Sequence, residues 1–143
     1  MQYTFVGFKG KNNPSFEVVK ELGGTIFLTN SFQGIKKDIS NLQDISSTIV
    51  LFGLNSKLRN SLQIEYVSQF GTEVVVSDVN SSEIKEACAG LEIKENRNPS
   101  KYLCNYAYYL LLKQYKGNVL LIHIPFSREF RNKIIACFKS LQK

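Results

Sequence analysis

The chain has 143 residues, a hydrophobic fraction of 43% and a formal net charge of +6 from 18 basic and 12 acidic side chains. That length supports a hydrophobic core without disulfide staples, and no apolar run reaches the roughly 18 residues needed to span a bilayer. The basic residues are scattered, as in Lys9/Lys11, Lys36/Lys37 and Arg128/Arg131/Lys133, with no dense run interleaved with aromatics. Such charge reads as solvated surface and argues against nucleic acid as a partner.

From the N-terminus, Met1 to Val6 lacks the charged start and cleavage site of a signal peptide. It reads as a strand, and a cytoplasmic location is expected. Strands are predicted at Tyr3–Val6, Thr25–Leu28, Thr48–Phe52, Glu73–Val76, Leu91–Lys94 and Val119–Ile124. A helix opens at Asn13-Pro14, with Asn13 as N-cap and Pro14 at the first helical position, and stops at Gly23-Gly24. The stretch from Gln33 to Ser47 holds a weak helix signal. Ser81-Ser82-Glu83 opens a short helix through Ala89, and further helices cover Tyr102–Tyr115 and Ser127 to about Leu141. The last carries Phe130, Ile134, Ile135 and Phe138 on one face at spacings of three and four.

This alternation predicts an α/β fold: a single domain over residues 1–143, built as a three-layer α/β/α sandwich around a mostly parallel central sheet. Ile49-Val50-Leu51-Phe52 and Val119-Leu120-Leu121-Ile122 are continuously apolar, as central strands covered on both faces are. Cys88, Cys104 and Cys137 are odd in number and match no zinc spacing, so free thiols are expected. With one histidine and no carboxylate cluster, neither a metal nor a cofactor is expected. Gly7-Phe8-Lys9-Gly10-Lys11 stands between a strand and a helix but does not fit a phosphate loop.

Ligands of open α/β sheets sit beyond the carboxyl ends of the strands. His123 ends the strand Val119–Ile124 just before Pro125, which places it at that edge. Cys104 lies in the first turn of its helix, where the dipole and free backbone N–H groups favour a thiolate and its own N–H can face an oxyanion. A nucleophilic thiol needs a base, and His123 is the one imidazole in the chain. Each residue alone also has a plain structural reading. A histidine beside proline is often architectural, and Cys104 reads equally as a buried apolar side chain, as Cys88 and Cys137 do.

Four segments in order resemble the pyroglutamyl peptidase I (pyrrolidone-carboxylate peptidase) family of cysteine peptidases. They are Val6-Gly7-Phe8 with Asn13-Pro14-Ser15, then Phe52-Gly53-Leu54 with Leu62-Gln63-Ile64-Glu65. Tyr102-Leu103-Cys104-Asn105-Tyr106 and Ile122-His123-Ile124-Pro125-Phe126 follow. The resemblance implies a cysteine peptidase or amidase with Cys104 as nucleophile, His123 as general base and then acid, and Glu65 as the residue that orients the imidazole. It implies hydrolysis of an N-terminal pyroglutamyl or similar small acyl amide from a peptide or small amide substrate, and a homo-oligomer. Phe8, Asn13 and Leu54 fall in its substrate-binding segments. The chain is shorter than family members and lacks the second aromatic of the first loop and the arginine-bearing loop after the glutamate. Arg59, in a family-like glycine-turn loop, reads as a plain surface arginine or as a partial substitute for that arginine, and Phe70 and Phe126 are candidates to rebuild the apolar wall. A catalytically inert binding domain of the same fold is the alternative reading.

Overall fold

The computed structural model describes residues 2–142. In chain order its elements are β1 (Tyr3–Phe8), α1 (Pro14–Glu21), β2 (Ile26–Leu28), α2 (Phe32–Ser40), β3 (Thr48–Leu54) and β4 (Ser61–Glu65). Next come β5 (Val67–Phe70), β6 (Glu73–Val76), α3 (Ser82–Ala87), β7 (Glu92–Asn96), α4 (Leu103–Gln114), β8 (Val119–Ile124) and α5 (Arg128–Ser140).

Six strands form one sheet in the order β2-β1-β3-β8-β4-β7. All neighbours run parallel except β4 and β8, which are antiparallel. The expected mostly parallel sheet is therefore present, with a reversal of direction between β8 and β4. Helices α1, α3 and α5 contribute to a core on one face that includes Val18, Ile84, Phe130 and Phe138. Helices α2 and α4 cover the other face with Ile35, Ile39, Ala107, Tyr108 and Leu111.

Two strands, β4 and β5, have no counterpart in the sequence expectation, and β6 and β7 differ from it in placement. β4 is short, and its Ser61-Leu62-Gln63-Ile64-Glu65 pattern carries polar residues that are buried all the same. β5 and β6 form a separate antiparallel ribbon in which Phe70 pairs with Glu73. Gly71 opens its two-residue loop at φ +62°, a backbone that a β-carbon disfavours. β7 also starts one residue later than expected and runs on to Asn96, a shift that matters for the site.

Local chemistry explains the helix starts. Asn13 caps α1 by accepting the Ser15 N–H at 2.9 Å, with Pro14 behind it. Ser31 caps α2 by accepting the Gly34 N–H at 3.0 Å, which resolves the weak signal after Gln33 into a real helix. The α5 face of Phe130, Ile134 and Phe138 is buried as its spacing predicts. Phe138 meets Phe52 edge-on at 5.1 Å between ring centroids and Phe5 at 5.9 Å, which ties α5 to β1 and β3. Phe138→Ala should therefore cost about 3–5 kcal/mol in urea unfolding; a loss under about 1 kcal/mol would contradict this packing.

Candidate active site

The site begins with β8, every residue of which is buried. His123 is paired with Gly53 on the β3 side and with Gln63 on the β4 side. Side chains alternate along a strand, so Gln63 and Glu65 share one face of β4, and Glu65 is the diagonal neighbour of His123. That distance is within reach of a glutamate. Because β4 runs against β8, Glu65 sits two pairs deeper in the sheet than His123, opposite Leu121.

The three residues meet in a line. Cys104 Sγ lies 2.9 Å from His123 Nε2, and His123 Nδ1 donates to Glu65 Oε2 at 3.0 Å. His123 is 0% exposed, Glu65 1% and Cys104 6%. The Tyr102 and His123 rings meet edge-to-face with their centroids 5.5 Å apart.

Helix α4 delivers the thiol. Tyr102 is its N-cap residue, so Cys104 is the second residue of the helix. Leu103 and Cys104 thus carry two of the N–H groups that have no acceptor within the helix, and the positive end of the dipole lies there too. The first turn is pinned from the far side. Ser68 Oγ is a donor 2.8 Å from both the backbone carbonyl oxygen and the side-chain Oδ1 of Asn105, and Asn105 Nδ2 donates to the Gln69 carbonyl at 3.0 Å. Asn105 therefore anchors the nucleophile's turn to β5.

Gly53 makes room for this approach. A β-carbon there would stand 2.9 Å from Cys104 Sγ, 3.0 Å from its Cβ and 3.4 Å from His123 Cδ2. The absent side chain lets α4 come down onto β3 beside β8.

Electrostatics favour an ionised pair. Burial pushes the Glu65 carboxyl up, but hydrogen bonds from His123, Gln63 and Asn96 and the charge of the imidazolium together hold it below its ordinary value. Burial likewise opposes charge on His123. Its hydrogen bonds to Cys104 and Glu65 and their negative charge outweigh that and raise the imidazole to about 9.

A cleft of about 210 Å³ opens beside the thiol. Phe8, Leu54 and Leu103 supply apolar wall, with Tyr102, Asn13 and Asn30 around them. Phe8, Asn13 and Leu54 are thus brought together with Cys104. The other expected substrate residues stand elsewhere. Phe70 is 51% exposed and packs on Tyr106 and Tyr109, because the β5–β6 ribbon carries it out along α4. Phe126 is 56% exposed beyond the end of β8. Arg59 is exposed in the loop before β4 and does not line the cleft. A larger hollow of about 440 Å³ beside Asn60, Glu92, Glu129 and Lys133 holds none of the three aligned residues, so size alone does not locate the site.

Gly53, Gln63, Asn96 and Asn30 also belong to the site, though the sequence alone assigns them no role in it. Gln63 carries a signal once β4 is known to be a strand, since it stands two before Glu65 and so on the same face. Asn96 and Asn30 depend on strand register and loop shape, which leave no local signal. Cys88 and Cys137 fall in the opposite core. The Cys88 thiol is pushed up by burial and by Cys137 beside it, as suits a packing thiol. Among the described residues no cluster of His, Cys, Asp and Glu could hold a metal ion, and no helix is long and apolar enough to cross a membrane.

Gly53→Ala should part the thiol from the imidazole at a folding cost of about 1–3 kcal/mol. A crystal structure of the variant is expected to show Sγ and Nε2 beyond hydrogen-bond reach; retention of the 2.9 Å contact would refute the spacing argument.

No protein-family model matches the sequence, and a search of curated protein sequences found no match. Solved structures do match. A mutant pyrrolidone carboxyl peptidase from the hyperthermophile Pyrococcus furiosus aligns with a TM-score of 0.72 at 18% identity, covering 97% of this chain and 95% of that one. The pyrrolidone carboxyl peptidase from Thermococcus litoralis gives 0.67 at 14% identity, covering 97% and 90%. That from Thermus thermophilus gives 0.70 at 15% identity, covering 96% and 99%. Over almost its whole length, this chain has the fold of the pyrrolidone carboxyl peptidases.

Proposed function

We propose that this protein is a cysteine hydrolase that cleaves a small acyl group from an amide, with N-terminal pyroglutamyl as the first candidate acyl group. The observation that carries the reading is the buried line from Cys104 Sγ through the His123 ring to Glu65, with bonds of 2.9 Å and 3.0 Å, opening on a cleft. Buried ionisable groups are costly unless they pair. A Cys–His–Glu line at a helix N-terminus is a weak choice for packing and a strong one for acyl transfer.

In this mechanism His123 Nε2 holds the thiol proton and Sγ attacks the amide carbonyl carbon. The carbonyl oxygen becomes an oxyanion, and the free N–H groups of Leu103 and Cys104 are the donors placed to receive it. The tetrahedral intermediate collapses, the C–N bond breaks, and the imidazolium gives its proton to the leaving amine. Water, deprotonated by the same imidazole, then attacks the thioester and releases the acid and the free thiol. Glu65 keeps Nδ1 protonated, fixes the ring and stabilises the imidazolium in both halves.

The cleft favours a compact acyl group. Phe8 and Leu54 offer apolar contact while Asn13 and Asn30 offer amide groups. Phe70, Phe126 and Arg59 stand away from it, so the acyl group rests on fewer aromatic contacts than a fully walled pocket would give.

The test is release of the fluorophore from a pyroglutamyl-linked fluorogenic amide. Hydrolysis is expected with the unaltered protein and should fall at least about 1000-fold in Cys104→Ala. Absence of release from pyroglutamyl and other small acyl amides would favour an inert binding domain of the same fold.

A further inference from the structure

We propose that Gln63 and Asn96 act together as a positioning clamp on Glu65, holding its carboxylate as the anion against Nδ1 of His123. The inference rests on the hydrolase reading above and deepens it.

Both carboxylate oxygens are occupied. Gln63 Nε2 donates to Oε2 at 2.6 Å, beside the 3.0 Å bond from His123. Asn96 Nδ2 donates to Oε1 at 2.7 Å. With each oxygen held from a different strand, the carboxylate cannot rotate away from the imidazole without breaking a bond. Register builds the arrangement: Glu65 is the Cα partner of Asn96 in the β4–β7 pair, and Gln63 is the partner of His123 across β4–β8.

Asn96 is itself held. Its Oδ1 accepts the Asn98 N–H at 3.1 Å, and its Nδ2 also reaches the Asn98 carbonyl at 2.8 Å. The amide is thereby oriented with its donor end toward Glu65.

The neutrality of both donors matters. A lysine or arginine on Glu65 would cancel the charge that the imidazolium needs as counterion. The ionisable groups around the carboxylate are His123 from β8 and Cys104 and Tyr108 from α4, and Tyr108 spends its hydroxyl on the Glu65 backbone carbonyl at 2.7 Å. Beyond the carboxylate, Tyr66 bonds Glu95, which also pairs with Lys85. Arg97, next after Asn96, stacks over the Tyr66 ring at 4.4 Å rather than reaching Glu65. Two amides thus supply what burial demands and leave the negative charge for His123.

The experiment is proton NMR titration of His123, whose ring signals are unique because the chain has one histidine. It is run on the unaltered protein, Gln63→Met and Asn96→Leu, with thermal unfolding measured in parallel. Without one donor the carboxylate is still an anion where His123 titrates but is no longer fixed against Nδ1. Its hold on the imidazolium weakens, and the His123 midpoint should fall by about one unit in each variant. With the fluorogenic amide, kcat should fall while KM holds. Gln63→Met keeps the side-chain length and leaves the Asn98 turn intact, so it separates the clamp from loop folding. An unchanged midpoint in both variants, beside a raised one in the unaltered protein, overturns the clamp alone. An ordinary midpoint in the unaltered protein also overturns the clamp, whereas the hydrolase reading falls only if the fluorogenic amides are not cleaved.

Discussion

The register between β4 and β8 decides whether this chain has a site at all. Side chains alternate faces with a period of two, so a slip of one residue would turn both Gln63 and Glu65 to the opposite layer. In the observed register Gln63 faces His123, and Glu65 stands diagonally below it on the α4 face. The reversal of strand direction at this junction is what sinks Glu65 into the sheet. A parallel strand ending in glutamate would have carried its carboxylate to the rim, where water would compete for the imidazole. The remaining strands hold this junction in place. β3 sets Gly53 on one flank of His123, and β7 sets Asn96 on the far flank of Glu65.

Burial makes the arrangement costly and therefore informative. A carboxylate and an imidazole, each almost fully removed from water, would both prefer to be neutral. Here the opposing interactions win in both cases: the carboxyl is held down and the imidazole is raised. The same interactions orient the ring, since Nδ1 is committed to Glu65 and Nε2 is left facing the sulfur. Steric and electrostatic design coincide at Gly53, where the lack of a side chain lets α4 place its N-terminal turn against the ring.

Much of this was legible in the chain. The continuous apolar runs of β3 and β8 announced central strands. Asn13-Pro14 and Gly23-Gly24 bracketed α1, and the spacing of Phe130, Ile134 and Phe138 announced the buried face of α5. Cys104 and His123 were legible as a helix-start thiol and a strand-end imidazole, and the family resemblance drew in Glu65. Other parts had no local signature. β4 alternates polar and apolar residues, but it is only five residues long and its polar Ser61 and Glu65 are buried, their environment being set by β7, β8 and α4 rather than by neighbours in sequence. Asn96 looks like a turn residue until its pairing with Glu65 is known. Phe70 and Phe126 stand away from the cleft because the ribbon and the loop after Pro125 lead them there, a matter of backbone path that composition does not encode.

The account turns on whether the imidazole of His123 activates the sulfur of Cys104. The direct measurement is the rate of iodoacetamide labelling at each cysteine as a function of pH, read by mass spectrometry, in the unaltered protein and in His123→Asn. The account predicts that Cys104 labels far faster than Cys88 and Cys137 near neutral pH, and that His123→Asn abolishes this advantage. Labelling of Cys104 at the same rate and with the same pH dependence in both proteins would contradict it.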